Sequence, residues 1–294
     1  VAEMQLQGIF APVISTFHAG SEDLDLDGFA ANVRSHIAEG LDGMVVAGST
    51  GEAALLSEAE RGALVATARE HTPAGKLVIA GCGGESTRQT VARTQQAKAS
   101  GADAVLVVAP HYYANAMTEE VLRAHYRRVA DESPLPVILY NIPKYMHFAL
   151  SAELVAELAQ HGNVIGIKDS SGVLDMLKGF LKAQSPTFSV LTGSGSGLQA
   201  GLEAGARGGI LAVSLFAAGF ALEVLEAVRG GEPERAAKAQ ARLKPMADVI
   251  VAKLGVPGVK AAMEAVGKVG GMPRMPLLPL DAAGRAEVAA ALAG

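Results

Sequence analysis

Val164-Ile165-Gly166-Ile167-Lys168-Asp169-Ser170 is a short apolar run that ends in a lysine, and runs of the same kind recur on both sides of it. The run before it is Pro136-Val137-Ile138-Leu139-Tyr140-Asn141-Ile142-Pro143. Further out, stretches rich in Val, Ile and Leu begin near Gly8, Gly43, Leu77, Ala104, Phe188 and Gly209. Continuous apolar runs suit strands that are covered on both faces. Longer segments with helical periodicity separate them. After Leu56, for example, Leu64, Val65 and Ala68 mark an apolar face, while Glu58, Glu60, Arg61 and Arg69 are expected to face water. Ser57, Ser86, Thr118 and Ser151 each open such a segment, and Glu60 and Glu153 sit near the starts, where a carboxylate favours the helix dipole.

Strands that alternate with helices must run parallel, because a parallel pair needs a helical crossover. Eight such repeats predict a closed (β/α)8 TIM barrel, with a doubly wound sheet as the alternative. From about Ala217 onward the chain reads as helices only, with breaks at Gly230-Gly231, at Gly255-Val256-Pro257-Gly258 and in the Pro-rich stretch from Met272 to Leu280. The expected organisation is therefore a barrel over residues 1–230 carrying the active site and a C-terminal helical appendage over 231–294.

Composition agrees with an enzyme-sized barrel. The chain has 294 residues, half of them apolar and 19% charged, enough to bury a large core and to exclude a disordered chain. Net charge is −5 with dispersed Lys and Arg, which gives no footprint for nucleic acid. Cys82 is the only cysteine, so no intramolecular disulfide or Cys-rich zinc site can form, and it reads as a small buried residue at a strand end. The N-terminal stretch around Glu3 lacks a charged-then-apolar leader, and the apolar stretch from Gly208 to Leu222 is too short for a membrane span. These features predict a cytoplasmic protein with no membrane partner.

In such barrels the working residues occupy the C-terminal ends of strands and the loops that follow. Lys168 ends its strand, and a buried amine is pushed toward its neutral, nucleophilic form, which Schiff-base chemistry requires. The competing reading is a lysine that snorkels to solvent. Tyr140 ends the preceding run and could move protons beside the amine, or could be an ordinary core tyrosine. Ala109-Pro110-His111-Tyr112-Tyr113 follows the fourth run, and loop tyrosines of this kind serve catalysis or an interface equally well. Gly48-Ser49-Thr50-Gly51-Glu52 follows the second run; its backbone N–H groups and hydroxyls can cradle a carboxylate, or form a plain turn. Ser170 follows Lys168 directly. Gly193-Ser194-Gly195-Ser196-Gly197 lacks the spacing of a nucleotide loop but could contact a carboxylate or phosphate. The seven histidines are dispersed with no paired-ligand spacing, so neither a catalytic metal nor another cofactor is expected.

Gly48-Ser49-Thr50-Gly51-Glu52, the Tyr112 loop, Tyr140-Asn141-Ile142-Pro143 and Gly166-Ile167-Lys168-Asp169 together resemble the N-acetylneuraminate lyase and dihydrodipicolinate synthase superfamily of class I aldolases. The resemblance spans almost the whole chain. It implies Lys168 as the Schiff-base lysine and Tyr140 as general acid/base, with Ser49 and Tyr112 completing a hydroxyl relay. It also implies that Gly48, Ser49 and Thr50 hold the carboxylate of pyruvate or a related 2-oxo acid, with Ser170 and Gly193 beside it. In relatives the Tyr112-equivalent reaches the site from a neighbouring subunit, so a homotetramer built as a dimer of dimers is implied.

Within the superfamily, the synthases usually carry an arginine two residues beyond the Tyr-Asn-x-Pro proline, and here that position is Tyr145. The stretches Ala80 to Thr87, Lys168-Asp169-Ser170 and Gly255 to Lys260 look closer to 4-hydroxy-2-oxoglutarate aldolases, although Thr50 stands where that branch can carry asparagine. The first expectation is therefore cleavage of a 4-hydroxy-2-oxo acid to pyruvate and an aldehyde. The alternatives are condensation of pyruvate with aspartate semialdehyde by a 4-hydroxy-tetrahydrodipicolinate synthase, and a non-catalytic barrel that binds a 2-oxo acid.

Overall fold

The eight apolar runs become eight strands: β1 (Gly8–Pro12), β2 (Gly43–Val46), β3 (Leu77–Gly81), β4 (Ala104–Val108), β5 (Val137–Asn141), β6 (Val164–Asp169), β7 (Ser189–Thr192) and β8 (Gly208–Ile210). The computed structural model describes residues 6–294; Glu3, in the stretch read for a leader, lies outside the described residues. Each strand pairs in parallel with its sequence neighbour, and β1 also pairs with β8, which closes the barrel. The strands are almost wholly buried because side chains fill the barrel on one face and helices cover the other. Gly43, Gly166 and Gly208 sit where an added Cβ would lie within 2.5 Å of a neighbouring strand's backbone.

The crossovers are α1 (Leu26–Ala38), α2 (Glu58–Glu70), α3 (Thr87–Ala99), α4 (Glu119–Glu132), a single turn α5 (Pro143–Met146), α6 (Ala152–Leu158), α7 (Leu174–Leu181) and α8 (Leu198–Glu203). Ser57, Ser86, Thr118 and Ser151 are the N-caps of α2, α3, α4 and α6, each accepting a bond from a first-turn N–H. Ser57 and Glu60 form a full capping box. Arg61, expected to face water, is instead buried. Its guanidinium donates to the carbonyls of Gly81 (3.1 Å) and Ala53, ties α2 to the strand ends, and gains protein acceptors in place of water.

After β8 come α9 (Ser214–Arg229), kinked at Ala217, and α10 (Pro233–Met246). A π-helical stretch, Ala247–Lys253, continues α10, and α11 (Gly255–Ala265) and α12 (Ala282–Ala293) complete the chain. The expected break falls at the first residue of Gly255–Gly258: the π-helical stretch ends at Lys253, Gly255 has a left-handed backbone (φ of 65°), and α11 then runs from Gly255 through Pro257 and Gly258. Pro257 lies in the first turn, where a missing N–H breaks no bond. Gly258 has no Cβ to strike the Ile250 carbonyl 2.6 Å away. No helix among the described residues is long and apolar enough to cross a membrane.

Candidate active site

Register places the central pair. Tyr140 and Lys168 are direct partners across β5 and β6, so their side chains leave the sheet on the same side at the C-terminal rim. Lys168 Nζ lies 4.4 Å from the centroid of the Tyr140 ring, and only 6% of Lys168 is exposed. No carboxylate among the described residues pairs with this side-chain nitrogen. Asp169, one residue on, leaves the opposite face of the strand. It accepts from Asn141 Nδ2 (2.8 Å) and from Ser171 Oγ (2.8 Å), and burial nevertheless pushes its carboxyl above the ordinary value. Asn141 Oδ1 accepts from the Leu150 N–H at 3.0 Å, which fixes the loop after β5.

The rim opens into a cavity of about 400 Å3. Lys168, Tyr140, Ser49, Thr50, Ser170 and Gly193 all line it, so the structure brings together six residues singled out from the sequence. Gly48 does not line the cavity but caps the turn beneath it, in extended conformation, ahead of the 3-10 turn Ser49–Gly51. Ala47 and Glu52, on either side of that turn, both have left-handed backbones (φ of 53° and 57°), a conformation that costs about 1–3 kcal/mol for a non-glycine residue and clusters at functional sites. The N–H groups of Gly51, Glu52 and Ala53 are spent within the turn, whereas those of Ser49 and Thr50 donate to no acceptor among the described residues. Two such amides on one turn, with two hydroxyls, are groups able to receive an anion, and both residues line the same cavity as the lysine.

Gly193 is required by close approach: a Cβ there would lie 1.9 Å from Ser170 Oγ and 3.1 Å from Lys168 Cε. Its N–H donates to the Asp169 carbonyl at 2.6 Å. Ser196 Oγ donates to Asp248 Oδ1 at 2.5 Å, and Lys244 Nζ meets Oδ2 of the same carboxylate at 2.5 Å. Burial opposes the charge on Asp248, but those two donors hold its carboxyl below the ordinary range. At the outer wall Tyr145 faces Lys144, whose Nζ donates to the Ala252 carbonyl at 3.3 Å. Burial, with Tyr140 nearby, pushes the Tyr145 phenol up.

Tyr112 is not brought to this cavity. It is 77% exposed, stacked edge to face on Tyr113 with ring centroids 5.0 Å apart. Its loop is held by Glu85, whose carboxylate accepts from the N–H groups of His111 (3.0 Å) and Tyr112 (2.8 Å). The sequence reading also missed a whole wall. Ala247, Asp248, Val251, Ala252, Gly255, Val256 and Val259, on the π-helical stretch and α11, close the cavity. Their only sequence-level signal is the Gly-Val-Pro-Gly start of α11. Among the described residues no cluster of His, Cys, Asp and Glu could hold a metal ion. Cys82 is buried as expected, and burial pushes its thiol up to about 12.

A closed parallel barrel with a buried lysine beside a tyrosine at its C-terminal rim defines a class I aldolase type of enzyme. The family model for the dihydrodipicolinate synthetase family matches residues 5–294, and the chain belongs to that family. It is a carbon–carbon lyase of the pyruvate-dependent class I aldolase type. Among its relatives is a 4-hydroxy-tetrahydrodipicolinate synthase of Stenotrophomonas maltophilia, 38% identical over 90% of this chain and 88% of the relative. Another, from an Exiguobacterium species, bears the same name and is 32% identical over 96% of each chain. Of solved structures, the dihydrodipicolinate synthase DapA-2 of Bacillus anthracis superposes with a TM-score of 0.94 at 27% identity, covering 99% of both chains. YagE, a prophage protein of the same family from E. coli K12 solved in complex with pyruvate, superposes with a TM-score of 0.92 at 31% identity over 99% of this chain and 98% of its own.

Proposed function

We propose that this chain joins pyruvate to an aldehyde through an enamine on Lys168, in the manner of a 4-hydroxy-tetrahydrodipicolinate synthase acting on aspartate semialdehyde. The observation that carries this reading is the buried Lys168 Nζ over the Tyr140 ring, in one cavity with Ser49 and Thr50, whose amides donate to no acceptor among the described residues. The pyruvate carboxylate takes the Ser49 and Thr50 N–H groups, which sets the C2 carbonyl against Lys168. The amine adds to C2, and Tyr140 relays a proton to the departing hydroxyl, which leaves as water. Loss of a C3 proton from the resulting iminium gives the enamine. Its C3 then bonds to the aldehyde carbon, and the aldehyde oxygen takes up a proton. Release from Lys168 follows by attack of water or of the semialdehyde's own amine at C2. The relatives' shared name supports aspartate semialdehyde as the partner, and Lys144 is the cation on the outer wall for its carboxylate.

A second reading rests on Tyr145. Where synthases usually place an arginine this chain has a tyrosine, and no arginine among the described residues lines the cavity. That favours the same chemistry run as cleavage of a 4-hydroxy-2-oxo acid such as 4-hydroxy-2-oxoglutarate, the expectation drawn from the sequence motifs. The relatives' names weigh toward the synthase. A non-catalytic barrel is set aside, because the family is one of enzymes.

In both readings Tyr112 enters the cavity from a neighbouring subunit of a homotetramer. Borohydride trapping with pyruvate, read by peptide mass spectrometry, should add a pyruvate-sized group at Lys168. Lys168→Ala should lose the adduct and remain folded, and Tyr140→Phe should keep the adduct but lose about 10²–10⁴-fold in turnover. An unmodified Lys168 in folded protein with excess pyruvate would sink both readings. Consumption of aspartate semialdehyde against cleavage of 4-hydroxy-2-oxoglutarate separates them.

A further inference from the structure

Glu52 follows the Ser49–Gly51 turn directly, is 3% exposed, and has a left-handed backbone that its side chain does not favour. Its Oε1 lies 2.6 Å from Lys260 Nζ, and Lys260, on α11, is 1% exposed. Lys260 Nζ also donates to the Met272 carbonyl at 2.8 Å and lies 4.7 Å from the Phe17 ring centroid. Glu52 Oε2 accepts the Arg274 N–H at 2.8 Å. The Arg274 guanidinium covers the other side: 4.2 Å from the Phe17 centroid, 2.6 Å from Glu60, and within bonding distance of the carbonyls of Leu55 and Glu22. Across the turn, Ser15 Oγ donates to the Gly51 carbonyl at 2.6 Å. The C-terminal end of a turn with free amides is thus held from two directions, by the loop after β1 and by the C-terminal segment.

A buried ion pair is weak evidence for stability, since apolar residues of similar volume often serve as well or better. What such a pair supplies is a fixed geometry. Neither group touches the cavity, so neither contacts substrate. We propose that the Glu52–Lys260 pair is a positioning device that clamps the Ser49–Thr50 turn to α11 and so sets the two amides that receive the carboxylate of the 2-oxo acid. This rests on the reading that those amides bind that carboxylate. It makes the C-terminal segment a determinant of oxo-acid affinity through a contact behind the cavity wall, in addition to the residues it contributes to that wall. Burial lowers the proton affinity of Lys260 against the opposing pull of Glu52, so removing the carboxylate alone leaves a buried amine without a counter-charge, held only by the Met272 carbonyl and the Phe17 ring.

The test uses the full chain with Glu52→Gln, Lys260→Met and the double variant, measuring the pyruvate concentration for half-maximal borohydride trapping at Lys168, the maximal trapped fraction and the melting temperature. The single variants should need about tenfold more pyruvate while reaching a similar maximum. The double variant should need about threefold or more, and should melt above either single variant because no orphan charge is left. If the single variants do not fold, the double variant decides. Folded variants that stay within about twofold of wild type, whatever their melting temperature, overturn the clamp. So does a double variant with wild-type affinity, which would put the effect on the orphan charge. Wild-type protein that is not trapped at all removes the carboxylate reading and the clamp with it; wild-type trapping with unshifted variants removes the clamp alone.

Discussion

A methyl group on residue 193 would enter the space held by Ser170 Oγ, 1.9 Å away, and press on Lys168 Cε at 3.1 Å. A displacement of about 1 Å in a reacting group can cost on the order of 10²-fold. Gly193→Ala should therefore slow adduct formation with pyruvate about 100-fold with circular dichroism unchanged; a wild-type trapping rate would show that the lysine has slack. Lys168 and Tyr140 were legible in sequence because a charged or phenolic residue closing an apolar strand has only the barrel rim to occupy. Ser49 and Thr50 were legible from their glycine flanks. Asp248 and Val259 were not, because on a helix nothing distinguishes a cavity-facing side chain from one in a core or on a surface.

At the level of elements, each strand begins at the expected residue or one beside it, as Val137 for Pro136 and Ser189 for Phe188 show. Barrel strands are covered on both faces, so their apolar runs are sharp in sequence. The π-helical stretch at 247–253 had no such signal. Its wider turn arises where α10 is carried past Pro245 into contact with the loop after β7. α2 joins the two halves of the chain electrostatically. Arg274, more than any other group, holds the Glu60 carboxyl down to about 2 from 4.5. A depressed carboxyl stabilises the fold fully above the unfolded value and loses that contribution as pH falls from there toward 2. His125, pushed by burial down to about 4 from 6.5, acts over a higher window: its contribution is complete above 6.5 and is lost as pH falls toward 4. Glu60→Gln keeps the capping box and removes the charge. It should lower the melting temperature at pH 7 by about 2–4 °C and flatten the loss between pH 4.5 and 2 in calorimetry. An unaltered slope in that window would show that Arg274 does not act through this carboxylate.

Across the whole molecule, Tyr112 and Tyr113 project from the loop after β4 at 77% and 69% exposure, and the chain's own cavity does not receive them. If Tyr112 serves a neighbour's site, mixing two inactive variants, Lys168→Ala and Tyr112→Ala, should restore turnover as subunits exchange, because some sites regain both groups. Mixtures that stay inactive after exchange is shown by native mass spectrometry would refute service in trans. The sequence by itself determined the barrel, where its strands begin, four of its helix caps and the lysine and tyrosine at the rim. Those features follow from local periodicity and from the rule that a parallel strand ends in a functional loop. Only the tertiary structure decided that Arg61 turns inward, that the helix from Gly255 continues through Pro257, and that residues 247–259 wall the cavity. It alone joined Glu52 to Lys260, 208 positions apart by numbering, 260 − 52. Contacts of that span depend on how distant helices pack once the barrel has closed, and no local pattern of residue types encodes that packing.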